Sequence, residues 1–279
     1  MKRSPIEVFS EWADLDKDYG MEKNHKESVE NMISFATKQQ KPFSFIDAGC
    51  GNGWVVRTVS QNSMCIKAEG IDGSDKMIEK AKSIDPTHHY SCADLMTWNP
   101  IEKVDLVHSM EVFYYLENPK ELIQKISNQW LNPEGRLIIG LDFYFENTVS
   151  HDWSDSCGIS NMKLYSENEW VDFFKAAAFK SIENWSAKAH STGDVVRHNG
   201  IYYKALSATI PSDLNPSSAN SASWESLGSS LTKLSAAGVG LTDRTTQVAS
   251  EATASTENGT YFIKSPFQAT SANGLSSLG

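Results

Sequence analysis

Four short apolar runs, each followed by a different kind of pattern, constrain residues 1–190 more than anything else in the chain. They lie at 43–47, 65–71, 104–108 and 136–141. Near-continuous apolar runs of this length suit strands buried on both faces of a parallel sheet. Between them the spacing turns helical. Val29, Met32, Ile33 and Ala36 recur on one side of a helix, and Ser74 stands before Met77, Ile78 and Ala81 as a helix cap. Asn118-Pro119 opens a helix carrying Leu122, Ile123, Ile126 and Trp130 on one face, with Gly135 just beyond it. Ser166 and Glu169 form a capping box ahead of Trp170, Phe173, Phe174 and Ala177. Strand–helix alternation predicts a three-layer α/β/α domain of Rossmann-like type.

The first run ends in Asp47-Ala48-Gly49-Cys50-Gly51-Asn52-Gly53, ahead of a helix start at Trp54. Glycines there let the chain turn sharply and let backbone approach a ligand; a tight turn with no ligand is the plainer reading. The dinucleotide fingerprint needs glycine at position 54, which is Trp54, and no Gly-Lys-Ser/Thr phosphate loop exists. The loop therefore favours a cofactor without a pyrophosphate and disfavours a nucleotide-linked oxidoreductase. Asp72 ends the second run, where an acid can accept both hydroxyls of a ribose; a turn or helix cap is the alternative. Asp94 follows a probable short strand at 89–91, either against an adenine amine or as a surface loop acid.

In order along residues 15–185, these segments resemble the class I S-adenosylmethionine-dependent methyltransferases. The loop Asp47, Gly49, Cys50, Gly51 and Gly53 is similar to the motif that wraps the methionine part of the cofactor. Asp72, Gly73 and Met77 are similar to the motif that holds the ribose and flanks the adenine, and Asp94-Leu95 to its adenine-edge segment. Residues 104–112, including Ser109, resemble the fourth-strand motif, and 131–137 the turn before the fifth strand. The resemblance implies S-adenosylmethionine as cofactor and methyl transfer to an O, N or C atom of an acceptor.

An activated sulfonium methyl needs mainly alignment and exclusion of water, and a base only when the acceptor must lose a proton. The candidates are Glu111 and Tyr115 after the fourth strand, and His25 in an N-terminal segment with Tyr19 and Met21. That segment reads either as a lid over the cofactor or as a solvated helix face. Phe113, Tyr114 and Tyr115 also suit hydrophobic packing under the sheet. The stretch 151–158, with His151, Asp152, Trp153 and Asp155, reads as an acceptor-pocket insertion or as an ordinary polar loop.

Composition narrows the partners. Twenty-five Lys and Arg stand against 35 Asp and Glu, so the chain gains little from a phosphate track and nucleic acid is disfavoured. The tetrad of amino-directed DNA methyltransferases is absent after the fourth strand, and no Pro-Cys nucleophile pair exists. A small-molecule acceptor is expected. Cys50, Cys65, Cys92 and Cys157 form no CxxC pair, so no metal site is expected, and reduced thiols fit a cytoplasmic setting. No leader-like apolar segment and no 18-residue apolar run is seen, so no membrane span is expected.

Charge then thins out. Residues 191–279 hold 11 Asp, Glu, Lys and Arg in 89 positions and are rich in Ser, Ala, Thr and Gly. This places a boundary at 186–192 and divides the chain into a methyltransferase domain at 1–187, a small β module at 188–228 and a Ser/Ala/Thr-rich β or disordered tail at 229–279. Residues 194–205 carry two β segments around Asn199-Gly200, a hairpin signal. Residues 185–228 resemble small carbohydrate-binding modules of chitinases and phage tail fibres, through 193–196, Asn199 to Ala205 and Ser223-Trp224-Glu225. The chitin binders' tryptophan pair is replaced by Leu206-Ser207-Ala208, which leaves at most a weak glycan contact. Tyr202, Tyr203 and Trp224 also suit the module's core, and 201–205 could instead supply the last strand of the first domain's sheet. An adhesion or fibre protein with an incidental methyltransferase-like half is the alternative function.

Overall fold

The computed structural model describes residues 2–147 and 150–184, together with four strand segments later in the chain. Helices α1 (Pro5–Asp14) and α2 (Tyr19–Thr37) precede β1 (Phe43–Ala48), α3 (Trp54–Ser60), β2 (Cys65–Asp72), α4 (Asp75–Ile84) and β3 (His89–Cys92). Then come β4 (Val104–Met110), α5 (Pro119–Lys125), β5 (Leu131–Gly140), α6 (Trp153–Ser156) and α7 (Glu167–Ala176). The later strands are β6 (Val195–His198), β7 (Ile201–Ala205), β8 (Trp224–Gly228) and β9 (Tyr261–Phe262).

Local signals fix the helix ends. The Ser4 hydroxyl accepts from the Glu7 amide while Glu7 reaches back to the Ser4 amide, with Pro5 in the first turn. Ser74 and Asn118 cap α4 and α5, and Ser166 with Glu169 closes the expected box on α7.

Five strands form one parallel sheet in the order β3-β2-β1-β4-β5. Helices flank it in the Rossmann-like arrangement: α3 lies against β1 and β2, α4 against β2 and β3, and α5 packs with α7. Every residue of β1 is buried, as a strand at the centre of a covered sheet requires. The core joins Phe45, Ile46, Ile71 and Val107 from the strands to Met77, Leu122, Ile123 and Ile126 from the helices. Trp130, fully buried, ends a π-helical turn over Ile126–Trp130, and its indole donates to Asn99 Oδ1 at 3.1 Å.

One sequence expectation changes. The segment expected as a turn before the fifth strand is already strand: β5 starts at Leu131, and Leu131 pairs with Val104 before the register shifts to Arg136 opposite Leu106. Glu134, in the left-handed region at φ 68°, sits in that irregular stretch. The alternative that 201–205 supplies the last strand of the parallel sheet does not hold. Strand β7 pairs antiparallel with β6 and β8, in a four-stranded sheet of order β8-β7-β6-β9. His198 pairs with Ile201 across Asn199-Gly200, the expected hairpin.

The chain divides into two compact units, Met1–Phe143 with Asp152–Ile182, and Tyr144–His151 with the strands after Glu183. The expected 186–192 boundary and most of the 229–279 tail lie outside the described residues, as do the side chains of Tyr202, Tyr203 and Trp224. Among the described residues no helix is long and apolar enough to cross a membrane.

Phe45 has no exposed surface at the centre of β1. Phe45→Ala should cost about 3–5 kcal/mol, because the ring's transfer free energy and the cavity it leaves add. Urea unfolding of the full chain, read in the α/β unit's transition, measures it.

Candidate active site

The order β3-β2-β1-β4-β5 reverses direction at β1, so a crevice opens past the carboxyl ends of β1 and β4. The glycine loop leaves β1 there. The Gly49 and Cys50 amides both donate to the Ile71 carbonyl, at 2.7 and 2.9 Å, which folds the loop onto the end of β2. Gly49 has φ 83°, and a Cβ on it would stand 2.2 Å from Val112 Cγ2. Gly53 has φ 77°, and its Cβ would stand 2.5 Å from the Tyr90 ring. Both positions therefore demand glycine for conformation and for close packing by protein side chains.

Asp72 closes the loop. Its carboxylate accepts the Gly51 amide at 2.9 Å and the Ser74 amide at 2.8 Å. Burial pushes its pKa up, the Ser74, Gly51 and Gly73 amides pull it down, and the charge of nearby Asp47 adds to the rise. Asp47 is buried and meets His108 Nδ1 at 2.7 Å, its register partner on β4. Burial and the charges of Asp72 and Asp47 raise the Cys50 thiol's pKa well above its ordinary value, so it is a neutral group in the loop.

Other expected cofactor positions have visible local work. The Ser109 hydroxyl donates to the Ala48 carbonyl at 2.6 Å. Asp94 is exposed and accepts the Met96 amide at 2.8 Å, an Asx turn. Met77 and Leu95 are buried, and Gly73 leaves room for the Ile6 side chain.

Past β4, Glu111 adopts φ 59°, a left-handed conformation costly for a side chain of this length. Its carboxylate accepts the Tyr114 hydroxyl at 2.7 Å and the Asp142 amide at 2.5 Å, tying the exits of β4 and β5. Phe113 and Tyr114 are buried packing residues. Tyr115 is half-buried, its hydroxyl 3.4 Å from that of Tyr114 and its ring edge-on to Phe9 at 5.4 Å. Burial and the nearby Glu111 charge raise the pKa of both phenols beyond the usual range, which keeps both hydroxyls protonated. Asn161 Nδ2 donates to the Tyr115 carbonyl at 2.6 Å, and the Arg3 amide donates to Gly158 at 2.8 Å. The 152–161 stretch thus borders Tyr115. His151 instead stacks on Phe145 at 5.9 Å.

The N-terminal helices cover these strand ends. Ile6 lies against Gly73, the Ser10 hydroxyl is 2.8 Å from that of Ser74, and Phe9 meets Tyr115. On α2, Met21 Cε is 3.2 Å from where a Cβ would stand on Gly51, and Met32 Sδ is 3.0 Å from the same point on Gly140. Helical spacing puts His25 between them on that face, half-buried above the crevice.

The residues that hold this cover down were not singled out from sequence. Asp18, fully buried between α1 and α2, accepts from Asn52 Nδ2 at 2.7 Å and from Lys80 Nζ at 2.6 Å. Lys80 also reaches Asp16 and lies 4.5 Å from the Tyr19 ring centroid. Burial opposes its charge, but the two aspartates hold its pKa above the ordinary lysine value. Asp85 was missed likewise. It accepts from the Thr87 amide and hydroxyl, from the Tyr90 hydroxyl at 2.9 Å, and meets His88 Nδ1 at 2.6 Å. This network fixes the Tyr90 ring against Gly53. Among the described residues, no group of three or more His, Cys, Asp or Glu is arranged to hold a metal.

A glycine loop at the switch point of a parallel sheet, with an acid at the end of the adjacent strand, defines the class of α/β proteins that bind nucleoside-bearing cofactors at their carboxyl edge. Residues 21–184 match the family described as "Methyltransferase domain". The chain belongs to this methyltransferase family, of the S-adenosylmethionine-dependent class that its motifs resemble. A trans-aconitate 2-methyltransferase of Rhizobium rhizogenes is 35% identical over 81 residues, 29% of this chain and 32% of the relative. A malonyl-[acyl-carrier protein] O-methyltransferase of Halalkalibacterium halodurans is 25% identical over 152 residues, 51% of this chain and 54% of the relative. The matched stretches span from about a third to about half of these relatives. The fold is similar to a Haloferax volcanii methyltransferase solved with the Trm112 activator, with TM-score 0.55 and 23% identity over 79% of this chain and 87% of that one.

Two predictions follow from these networks. Lys80→Met leaves Asp18 buried with one neutral donor and should cost about 3 kcal/mol, while adding Asp18→Asn should recover most of it; chemical denaturation of both variants reads this. Asp85 is held far below the carboxylate range by Thr87, His88 and Tyr90, which outweigh its burial. A depressed folded-state pKa stabilises above the unfolded value of about 4 and is lost as pH falls below it. Asp85→Asn should therefore flatten the acid limb of a stability–pH curve between about pH 4 and pH 2.5.

Proposed function

We propose that the chain transfers a methyl group from S-adenosylmethionine to a small-molecule acceptor in the crevice past β1 and β4. The observation that carries this is the half-buried Asp72 carboxylate. It is tied to the glycine loop through the Gly51 amide and repelled by Asp47, so its negative charge is incompletely compensated. A cofactor with ribose hydroxyls to donate and a positive charge suits that acceptor. Each Asp72 oxygen takes one backbone N–H, which leaves acceptor capacity for ribose hydroxyls. Asp47 and Asp72 together favour a cation.

In this reading Asp72 holds the ribose, while Asp47, Gly49, Cys50, Gly51 and Gly53 line the methionine part. Gly73, Met77, Asp94 and Leu95 frame the adenine, and Ser109 fixes the backbone of β1 beside it. The bound cofactor supplies a methyl group already activated by its positive sulfur. The chain then has to align the acceptor and exclude water. Helices α1 and α2 exclude water. Tyr115 orients the acceptor as a neutral hydroxyl, and Glu111 takes a proton where one must leave. His25 faces the same space from α2.

Calorimetry on the full chain tests it. S-adenosylmethionine and S-adenosylhomocysteine should bind saturably, and Asp72→Ala should weaken both about tenfold or more, the loss of a charge-assisted contact of roughly 1.5–3 kcal/mol. Binding requires the ionised carboxylate, whose pKa is raised, so affinity should fall as pH is lowered toward the carboxylate range. That fall should be absent in Asp72→Asn. A folded wild-type chain that binds neither compound overturns the reading.

A further inference from the structure

We propose that the acceptor is an amine on an aromatic or apolar frame, and not a carboxylic acid. This rests on the methyl-transfer reading above and names its substrate class. Two independent observations carry it.

The first is charge. The strand ends that border the crevice carry Asp47, Asp72 and Glu111, with Asp142 just after β5. Three cations near them are held by other partners. Lys80 is held by Asp16 and Asp18, the Arg57 guanidinium donates to the Asn52 carbonyl at 2.6 Å, and Lys163 pairs with Glu117 at 2.8 Å. With Asp47 and Asp72 facing the cationic cofactor, a carboxylate acceptor would enter beside the Glu111 carboxylate and be repelled, whereas an ammonium group would be attracted to it.

The second is the wall. The half-buried Tyr115 ring is backed by the buried Tyr114 ring at 4.4 Å by centroid, with Phe9 edge-on to Tyr115. Aromatic faces attract cations and accept flat apolar frames. The named acids of the matched relatives therefore do not transfer to this chain, whose likeness to them covers only part of its length.

The chemistry balances with groups already placed. The amine arrives as its ammonium and gives one proton to the Glu111 carboxylate, which the Tyr114 hydroxyl and the Asp142 amide hold in position. The freed nitrogen lone pair forms the new N–C bond as the C–S bond breaks. The sulfur keeps that bond's electron pair and leaves as a neutral thioether. The methylated nitrogen departs positively charged, and Glu111 returns its proton to solvent.

The test uses tyramine and 4-hydroxyphenylacetate, which share a phenol ring and differ in bearing an ammonium or a carboxylate. Each is titrated by calorimetry into the full chain saturated with S-adenosylhomocysteine. Tyramine should bind about tenfold more tightly or better. Glu111→Gln should shrink that ratio to about threefold or less. Tyr115→Phe should preserve it and Tyr115→Leu should reduce it, which keeps the test alive if the Glu111 variant does not fold. Equal or tighter binding of 4-hydroxyphenylacetate, or no tyramine binding at millimolar concentration, overturns the proposal while the methyl-transfer reading stands. Failure of S-adenosylhomocysteine to bind overturns both.

Discussion

Everything at the working end of this protein depends on β1 having β2 on one side and β4 on the other. A chain that winds outward from β1 through β2 to β3, and then returns to pair β4 with β1, must leave the loops after β1 and β4 diverging. Into that gap the fold places its least comfortable groups. The buried Asp47–His108 pair sits on the two diverging strands, and Asp72 lies one strand away with its carboxylate on the loop amide. Strain gathers at the same place: Glu111 takes a left-handed conformation, and its two hydrogen bonds to Tyr114 and Asp142 hold it there.

The α/β unit was largely legible in the sequence because burial on both faces leaves a strong mark. Four apolar runs located β1, β2, β4 and the end of β5, and serine or asparagine caps located α4, α5 and α7. The early start of β5 was not legible. Its first residues, Leu131-Asn132-Pro133-Glu134-Gly135, are turn-forming by composition, and only the register shift against β4 makes them strand. The hairpin of β6 and β7 followed from the Asn199-Gly200 dipeptide between two β-forming runs, a pairing of residue types that favours tight hairpins.

The candidate site was legible where it is made of motif and opaque where it is made of long-range pairing. Asp47, Asp72 and Glu111 stand at strand ends and could be named from position. Asp18, Asn52 and Lys80 could not, since one aspartate meets partners 34 and 62 residues away and no local pattern marks such a pair. Asp85 and Tyr90 escaped notice because their network stays local and polar. The motif glycines also carry more than one cause. Gly49 and Gly53 are required by Val112 and Tyr90 as well as by any ligand, so a glycine-rich signature records packing and binding together.

The cover formed by α1 and α2 has a consequence for how the chain is made. Residues 5–37 leave the ribosome before any of the surface they will lie on exists. Ser74 and Lys80 come later, and Tyr115 and Gly140 later still. The cover must wait, amphipathic and unpacked, until about a hundred further residues have emerged and the sheet has closed through β5, which at about 5–20 residues per second takes roughly 5–20 seconds. It is made before the surface it covers, so the sheet can close before the cover docks.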